Sequence, residues 1–487
     1  MRQIMNSQMK IGEIAIPDIE LDLRSRDEIP KILIGLQSIY CNEEVREQVF
    51  QVLMELIPKD VDTNNGRPGM DLWSILVLGT IRLSCNWDYD KLKEIANNHR
   101  TLRMMLGHGP MNWDDQYALQ TLKDNISLFT PKVLDKINQI VVNHGHKIIG
   151  KKAETGLNGS CDSFVLETDV HFPTDTNLLF DALRKMIILI MNLCDEVGMS
   201  GWRKSIYILK QVRKLFKKAE KARRSKSSQK EQSVIKAHLG YLDLAQSIID
   251  KVSETVSSMC LSHDLDLFFR MKIRELHQYI NHAARQIDQI RRRVIEGETI
   301  PHHEKVFSIF QEHTEWLSKG KAGTPVELGL NVCVVKDQFG FILHYHVMQN
   351  EKDVDIAVEI ISETKERFPN FRSCSFDKGF HSPYNQEQLA EILDEVVLPR
   401  KGKLSKAASE IENSSEFRQA RRKHSAVESS INALENHGLD RCRDHGLDGF
   451  KRYVGLAVVA RNIQITGHIV QQKQLERDRR QKRARAA

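Results

Sequence analysis

Three acidic residues of this chain lie in settings where a carboxylate needs a compensating partner. Asp169 lies within 164–172, an apolar, β-branched stretch that predicts a buried strand. Asp377 ends a second stretch of this kind, and Glu428 lies in a helix predicted over 416–436. A buried carboxylate is costly unless hydrogen bonds or a metal ion compensate it. Hydrogen bonding is the alternative for each acid alone, but three such acids indicate one metal site assembled from distant segments.

The elements that must position these acids follow a definite order. The strand of Asp169 is followed by a helical insert, a β-hairpin over 328–348, a helix, the strand of Asp377, a helix, a short strand and the helix of Glu428. Without the insert, this is the β-β-β-α-β-α-β-α order of the RNase H-like fold, in which the first and fourth strands are neighbours. We therefore expect a mixed α+β fold in which Asp169 and Asp377 lie side by side, with Glu428 above them.

Such a group of acids would carry out metal-dependent chemistry. Close carboxylates raise one another's pKa unless divalent cations keep them ionised. Oxygen-only ligands favour Mg²⁺ or Mn²⁺, and two ions about 3.5–4 Å apart can activate the attacking oxygen and stabilise the leaving oxygen in phosphodiester cleavage. The sequence offers no Ser/His/Asp or Cys/His arrangement and no Gly-rich phosphate loop, which argues against a covalent hydrolase and against ATP use.

The distribution of charge indicates a polyanionic partner. The chain of 487 residues has a net charge of +6. Residues 203–230 contain twelve Lys or Arg and one acid, and 473–487 contain seven and two, so these segments carry +11 and +5 and the remainder −10. We expect the basic segments to bind a polyanion such as a nucleic acid, although a solvated helix face and a disordered tail are the alternatives. The residues predicted to contact DNA in the first segment are Lys210, Arg213, Lys214, Lys217 and Lys218.

Other features of the sequence restrict the class of protein. There is no 18-residue apolar run and no apolar core of a signal peptide near the N-terminus. The eight cysteines are scattered without a C-x-x-C pair, which disfavours a zinc ribbon or a disulfide framework. We therefore expect a cytoplasmic, nucleoid-associated protein that does not contact membranes. Helices over 71–83 and 89–97 are compatible with a DNA-reading helix-turn-helix, and also with plain helix packing.

Three blocks of sequence resemble DDE transposases of bacterial insertion sequences, of the ISNCY kind. The blocks are LETDVHFPTD (166–175), SFDKGFHSP (375–383) and HSAVESSINALENHGLDR (424–441), and the resemblance extends to GRPG (66–69) and PHHEKVFSIF (301–310). It implies that Asp169, Asp377 and Glu428 are the metal-binding triad. It also implies cleavage of double-stranded DNA at terminal inverted repeats and strand transfer into target DNA.

The third block departs from the pattern of related transposases. His424 occupies the position of an arginine one turn before the catalytic glutamate, and Glu435 lies where a lysine is usual. Phosphate contact would then fall to Arg421, Arg422 or Lys423. Glu435 is also the competitor of Glu428 for the role of third acid. We interpret His302, His303 and His381 as structural, because no spacing pairs them as ligands.

These observations predict a transposase that acts as a homodimer, because transposition joins two DNA ends. A catalytically inactive DNA-binding derivative and another RNase H-like nuclease, such as a junction resolvase, remain the alternatives. Two amphipathic helices within 234–294 predict a hairpin that is the candidate dimer interface, and packing within its own chain is the alternative for this hairpin. The predicted domains are a helical DNA-binding domain (1–155), the first part of the catalytic domain (156–177), a basic helical insert (178–322), the rest of the catalytic domain (323–470) and a basic tail (471–487).

Overall fold

A computed structural model describes residues 2–5, 11–58, 69–112, 114–152, 155–262, 266–318 and 325–486. Most of the GRPG segment that supported the resemblance lies outside these residues. The helices are α1 (Glu28–Cys41), α2 (Glu43–Met54), α3 (Leu72–Ser84), α4 (Tyr89–Asn98), α5 (Arg100–Met105), α6 (Leu119–Ile126), α7 (Pro131–Ile149), α8 (Asp175–Glu196), α9 (Ser205–Arg224), α10 (Lys230–Ser262), α11 (Leu267–Ile290), α12 (Asp353–Arg367), α13 (Pro383–Ile392), α14 (Lys406–Asn413), α15 (Ser415–His424), α16 (Ala426–Leu434) and α17 (Gly446–Ala486). The strands are β1 (Leu157–Thr168), β2 (Glu315–Ser318), β3 (Val326–Asp337), β4 (Ile342–Val347), β5 (Phe371–Phe376), β6 (Glu395–Val397) and β7 (Arg441–Cys442). The predicted mixed α+β class is confirmed.

The strands form one mixed sheet in the order β2-β3-β1-β5-β6, with β4 also paired to β3 and β7 to β1. β1 pairs antiparallel with β3, and β3 antiparallel with β4. β1 pairs parallel with β5, and β5 parallel with β6. The strand that carries the first acid region therefore lies directly beside the strand that leads to Asp377.

The chain divides into two compact units, and unit 1 comprises residues 1–169 and 317–487. The N-terminal helices, which we expected to form a separate domain over 1–155, share one hydrophobic core with the sheet and with α17. α1 and α17 approach closely at glycines, since a Cβ on Gly467 would lie 2.0 Å from the Lys31 carbonyl oxygen. Every residue of α3 is buried, whereas α4, the second helix of the pair, exposes residues such as Lys91 and Lys93. Because the second helix of a helix-turn-helix is the one that enters the groove, the burial of α3 does not decide between DNA reading and plain helix packing.

Unit 2 comprises residues 170–316 and is built from α8 to α11 around its own hydrophobic core. α10 and α11 form the predicted hairpin, but both also cover α8, whose Leu179, Leu183 and Ile187 are fully buried. No helix among the described residues is both long enough and apolar enough to cross a membrane.

Two local predictions differ from the structure. The polar, Ser-, Lys- and Glu-rich composition of 401–416 predicts a loop, but this stretch contains α14. The last helix, α17, continues to Ala486 through the segment that we predicted as a separate basic tail. In that last segment the alternation of charged and strongly helix-forming residues sustains the helix without an apolar face.

Candidate active site

The register between β1 and β5 places two acids side by side. Ser160 pairs with Ser375, and Cys161 pairs with Phe376. The next residues are Asp162 and Asp377, and alternation along a strand places each on the same sheet face as the serine two positions before it. The two serine hydroxyl oxygens lie 2.9 Å apart, which fixes this face of the two strands together.

The electrostatics of Asp162 show that other carboxylates surround it. The pKa of Asp162 is raised to about 6, chiefly by burial and in addition by the neighbouring carboxylates of Asp377, Asp353 and Glu428. A hydrogen bond of 2.8 Å from the Ser163 N–H to Asp162 Oδ1 acts in the opposite direction. Asp162 is therefore the point at which acids from β1, the end of β5 and two helices converge.

Glu428 reaches this cluster because of the way α16 packs. Val427, Ile431 and Leu434 are buried at three- and four-residue spacing, so they fix one face of α16 in the core of unit 1 and leave Glu428 exposed in the first turn. On the other side of this helix, Lys336 Nζ of β3 donates a 3.1 Å hydrogen bond to Ser430 Oγ. Of the two candidates for the third acid, Glu428 is among the residues that raise the pKa of Asp162, and Glu435 is not.

His424 occupies the junction between the strands and α16. Its Nδ1 lies 3.0 Å from Ser375 Oγ. Burial lowers the pKa of His424, and the nearby Asp377 and Glu428 carboxylates oppose that effect. A histidine that no metal-ligand spacing singled out in the sequence therefore lies between two of the acids, held by a serine of β5.

The structure does not bring Asp169 to the other acids. β1 ends at Thr168, one residue before Asp169, whose side chain is 62% exposed and pairs with Arg441 at 3.5 Å. Seven residues separate Asp169 from Asp162, which corresponds to roughly 23 Å along a strand. The expected juxtaposition of Asp169 with Asp377 is therefore corrected, and Asp162 takes its place beside Asp377.

The physical reason for this difference is the position of the strand. The apolar density of 164–172 predicted a strand there, whereas β1 begins at Leu157 and pairs through the polar stretch Asn158, Gly159 and Ser160. Those residues have low β-propensity, so tertiary pairing on both edges of β1 decides their conformation. The signal that could have found Asp162 is its place just before the apolar run 164–166, one strand position from a buried cysteine.

The donor set fits a hard divalent cation in its chemistry, since Asp162, Asp377 and Glu428 offer only oxygen atoms. The convergence of negative charge on a half-buried carboxylate is also what a bound cation would relieve. In the part of the chain that the structure describes, no three His, Cys, Asp or Glu side chains are already arranged closely enough to hold a metal ion. Cation binding would therefore require side-chain movement, which the exposed Asp377 and Glu428 permit.

The predicted DNA-contact residues lie on solvent-facing surfaces. On α9 the buried residues are Ser205, Val212 and Ala219, which define one face of the helix. The opposite face exposes Lys210, Arg213, Lys214, Lys217 and Lys218. Arg421, Arg422 and Lys423 are exposed in the last turn of α15, immediately before His424.

The described contacts of the three histidines that we interpreted as structural do not involve the acids of the cluster. His302 and His303 are exposed in a short 3₁₀ turn. His381 Nδ1 accepts a long 3.4 Å hydrogen bond from the Lys401 N–H. Burial lowers the pKa of His381, and Arg400 and Lys401 lower it further.

A comparison with known protein families finds a match within the chain. Residues 288–463 match the family model of the transposase DDE domain. The transposase match contains Asp377, His424 and Glu428 but begins after Asp162 and Asp169, so it does not choose between those two acids. It supports a transposase-type, DNA-processing enzyme with DNA as its partner. No curated protein and no solved structure matches the chain.

Proposed function

We propose that this chain is a DDE-type transposase whose acidic triad is Asp162, Asp377 and Glu428. Its function is cleavage at the ends of an insertion sequence of the ISNCY kind, followed by strand transfer into target DNA. The observation that carries the proposal is the β1–β5 register, which brings Asp162 beside Asp377, with Glu428 near both. The order β4-β3-β1-β5-β6, antiparallel and then parallel, further supports an RNase H-like catalytic fold.

The triad residues would hold Mg²⁺ or Mn²⁺, the ions that the oxygen donors favour. Two such ions, when bound, activate the attacking oxygen and stabilise the leaving oxygen of a phosphodiester. The chain's own contribution is to fix the donors. Pairing of Ser160 with Ser375 aligns the two strands, and the bond from Lys336 to Ser430 anchors the helix that presents Glu428.

Binding of the substrate falls to the basic residues beside the acids and on α9. Arg421, Arg422 and Lys423 precede His424, so they would hold backbone phosphates next to the scissile bond. The basic face of α9 would bind flanking double-stranded DNA through phosphate contacts. Since both element ends must be held together, we propose a homodimer that works at the nucleoid.

The test compares the three proposed triad residues with two acids that lie nearby in the sequence, Asp169 and Glu435. Purified full-length chain is incubated with Mg²⁺ and duplex DNA that carries the inverted repeats flanking its gene, and nicks and strand-transfer products are resolved on denaturing gels. Asp162→Asn, Asp377→Asn and Glu428→Gln should each abolish cleavage, because each removes a charged ligand. The matched controls Asp169→Asn and Glu435→Gln should cleave like the wild type.

Three outcomes separate the alternatives. Loss of cleavage in Asp169→Asn together with normal cleavage in Asp162→Asn would refute the proposed triad. Cleavage without strand transfer would favour a resolvase-like nuclease. End binding by the wild type without cleavage, in either Mg²⁺ or Mn²⁺, would indicate an inactive DNA-binding derivative.

A further inference from the structure

Unit 2 contains a cavity of about 410 Å³ that the proposed chemistry does not use. The cavity lies between the segment that enters α8, the C-terminal end of α9 and the segment that follows α11. Its volume is within the range of about 300–1,000 Å³ that is typical of small-ligand sites. Its lining combines aromatic rings with cationic side chains.

The aromatic rings form a continuous row along the cavity. Phe172 and Trp316 have ring centroids 5.5 Å apart, Trp316 and Phe307 are 5.6 Å apart, and Phe307 and His302 are 5.2 Å apart. The row is not part of the hydrophobic core, because Phe172 is 60% exposed and Trp316 and Phe307 are only half-buried. Phe172 and Trp316 meet edge to face with their ring planes at 66°, so the largely exposed ring of Phe172 is the one on which a planar ring can stack.

Cationic side chains line the same cavity. Arg223, Arg293 and Lys305 contribute three positive charges, against the single carboxylate of Asp175. Arg293 already pairs with Asp175 at 2.8 Å, and its Nε is a buried donor that meets no acceptor within the described ranges. Arg223 and Lys305 are exposed. The cavity lining therefore keeps an excess of positive charge.

A planar ring joined to an anionic group is the chemistry that this combination matches. We propose that the cavity binds one unpaired nucleotide of a DNA strand, with its base stacked on the ring of Phe172 and its phosphate held by Arg223, Arg293 and Lys305. Stacking on aromatic side chains is independent of sequence, because every base has a π-face. The proposal rests on the proposed function only in naming DNA as the strand.

The assay compares two duplexes of the same sequence with full-length protein in EDTA, so that no cleavage occurs. One duplex is fully paired, and the other carries a single unpaired 2-aminopurine, a base whose fluorescence falls when it stacks. An unpaired base is the probe because little unstacking energy then opposes its entry. We expect the wild type to prefer the unpaired duplex by on the order of 10-fold or more and to quench the 2-aminopurine.

Matched pairs of variants test the aromatic and the cationic halves separately. Phe172→Ala should abolish both the preference and the quenching, whereas Tyr207→Ala should not, since Tyr207 is equally exposed (61%) in the same unit but lies outside the cavity. Arg223→Gln should weaken binding of the unpaired duplex more than its neighbour variant Arg224→Gln, because Arg224 does not line the cavity. Binding of the paired duplex should change little in either aromatic variant.

An unchanged preference in Phe172→Ala would overturn the proposal, and Phe172 is exposed enough that its removal does not threaten folding. Competition by free dTMP as effective as that of the unpaired duplex would also overturn it, in favour of a soluble nucleotide as the ligand. The outcome is independent of the cleavage test. A wild-type chain that captures the unpaired nucleotide but does not cleave end-containing DNA would refute only the proposed function, and one that cleaves but shows no preference for the unpaired duplex would refute only this cavity.

Discussion

Replacing Asp162 with asparagine should remove activity and at the same time stabilise unit 1 in the absence of metal. The substitution keeps the size of the side chain and its capacity to accept the Ser163 N–H, but removes a charge that lies among other carboxylates. A residue that only supported the fold would behave in the opposite way, losing stability when it is changed. The sign of the effect on stability therefore tests whether negative charge converges on this position.

The size of the effect follows from the pKa of Asp162, which burial and the neighbouring acids raise from 3.8 to about 6. A tenfold change in protonation corresponds to about 1.4 kcal/mol, so ionised Asp162 would cost the folded state about 3 kcal/mol. Because the side chain is partly exposed and water screens it, we expect ~1–3 kcal/mol.

The direction in which stability changes with pH is also determined. The folded chain keeps the proton of Asp162 to higher pH than the unfolded chain, so stability falls as pH rises from about 4 to about 6 and is level above that. Asp162→Asn lacks this loss. The free energy of unfolding of the variant should therefore equal that of the wild type near pH 4 and exceed it by the full difference near pH 7.5.

Hydrogen exchange of the peptides that cover β1 and β5, measured in EDTA near both pH limits, reports this difference within unit 1. Asp169→Asn is the control and should show no such gain, since Asp169 is exposed and pairs with Arg441. Addition of Mg²⁺ should then protect the wild type but not Asp162→Asn, because only the wild type keeps the donor. Equal protection of the wild type and Asp162→Asn near pH 7.5 would refute the reasoning.

Three further predictions concern other parts of the chain. Asp444→Asn should destabilise unit 1 by about 3–5 kcal/mol in urea unfolding, because it leaves the buried guanidinium of Arg82 without its counter-charge. Arg82 is 1% exposed and pairs with Asp444 at 2.8 Å. An unchanged urea midpoint would contradict this prediction. Placing glutamates at Leu267 and Met271, apolar residues 77% and 62% exposed near the α10–α11 turn, should yield monomers in sedimentation if this surface joins two copies; an unchanged dimer would exclude that surface. The third prediction concerns the five cations of α9 named above, Lys210, Arg213, Lys214, Lys217 and Lys218. Neutralising them should reduce the slope of log affinity for DNA against log salt concentration by up to about 4.5. An unchanged slope would assign that face of the helix to solvent.

Deletion of 232–296 would not test whether the hairpin pairs two copies. In the structure α10 and α11 cover the apolar face of α8, so the deletion would expose Leu179, Leu183 and Ile187 and unfold unit 2. Substitution at the exposed turn leaves that core intact and asks the question directly.

The sequence alone was sufficient for those features that depend on local patterns. The mixed α+β class, the β-hairpin β3–β4, the strand that leads to Asp377 and the amphipathic helices α9 to α11 follow from periodicity and turn residues. The match to a transposase DDE domain is consistent with the motifs around Asp377 and Glu428. Each of these signals is carried by residues close together in the chain.

Only the tertiary structure decided which acid stands beside Asp377. Strand register depends on pairing between distant segments, and a shift along β1 exchanges one aspartate for another without changing local apolar density. Pairing with both β3 and β5 holds the polar start of β1 in the sheet, and so places Asp162, not Asp169, opposite Asp377. The union of the N-terminal helices with α17 and the meeting of Phe172 with Trp316 have the same physical origin, because contacts across more than a hundred residues leave no periodic trace in the sequence.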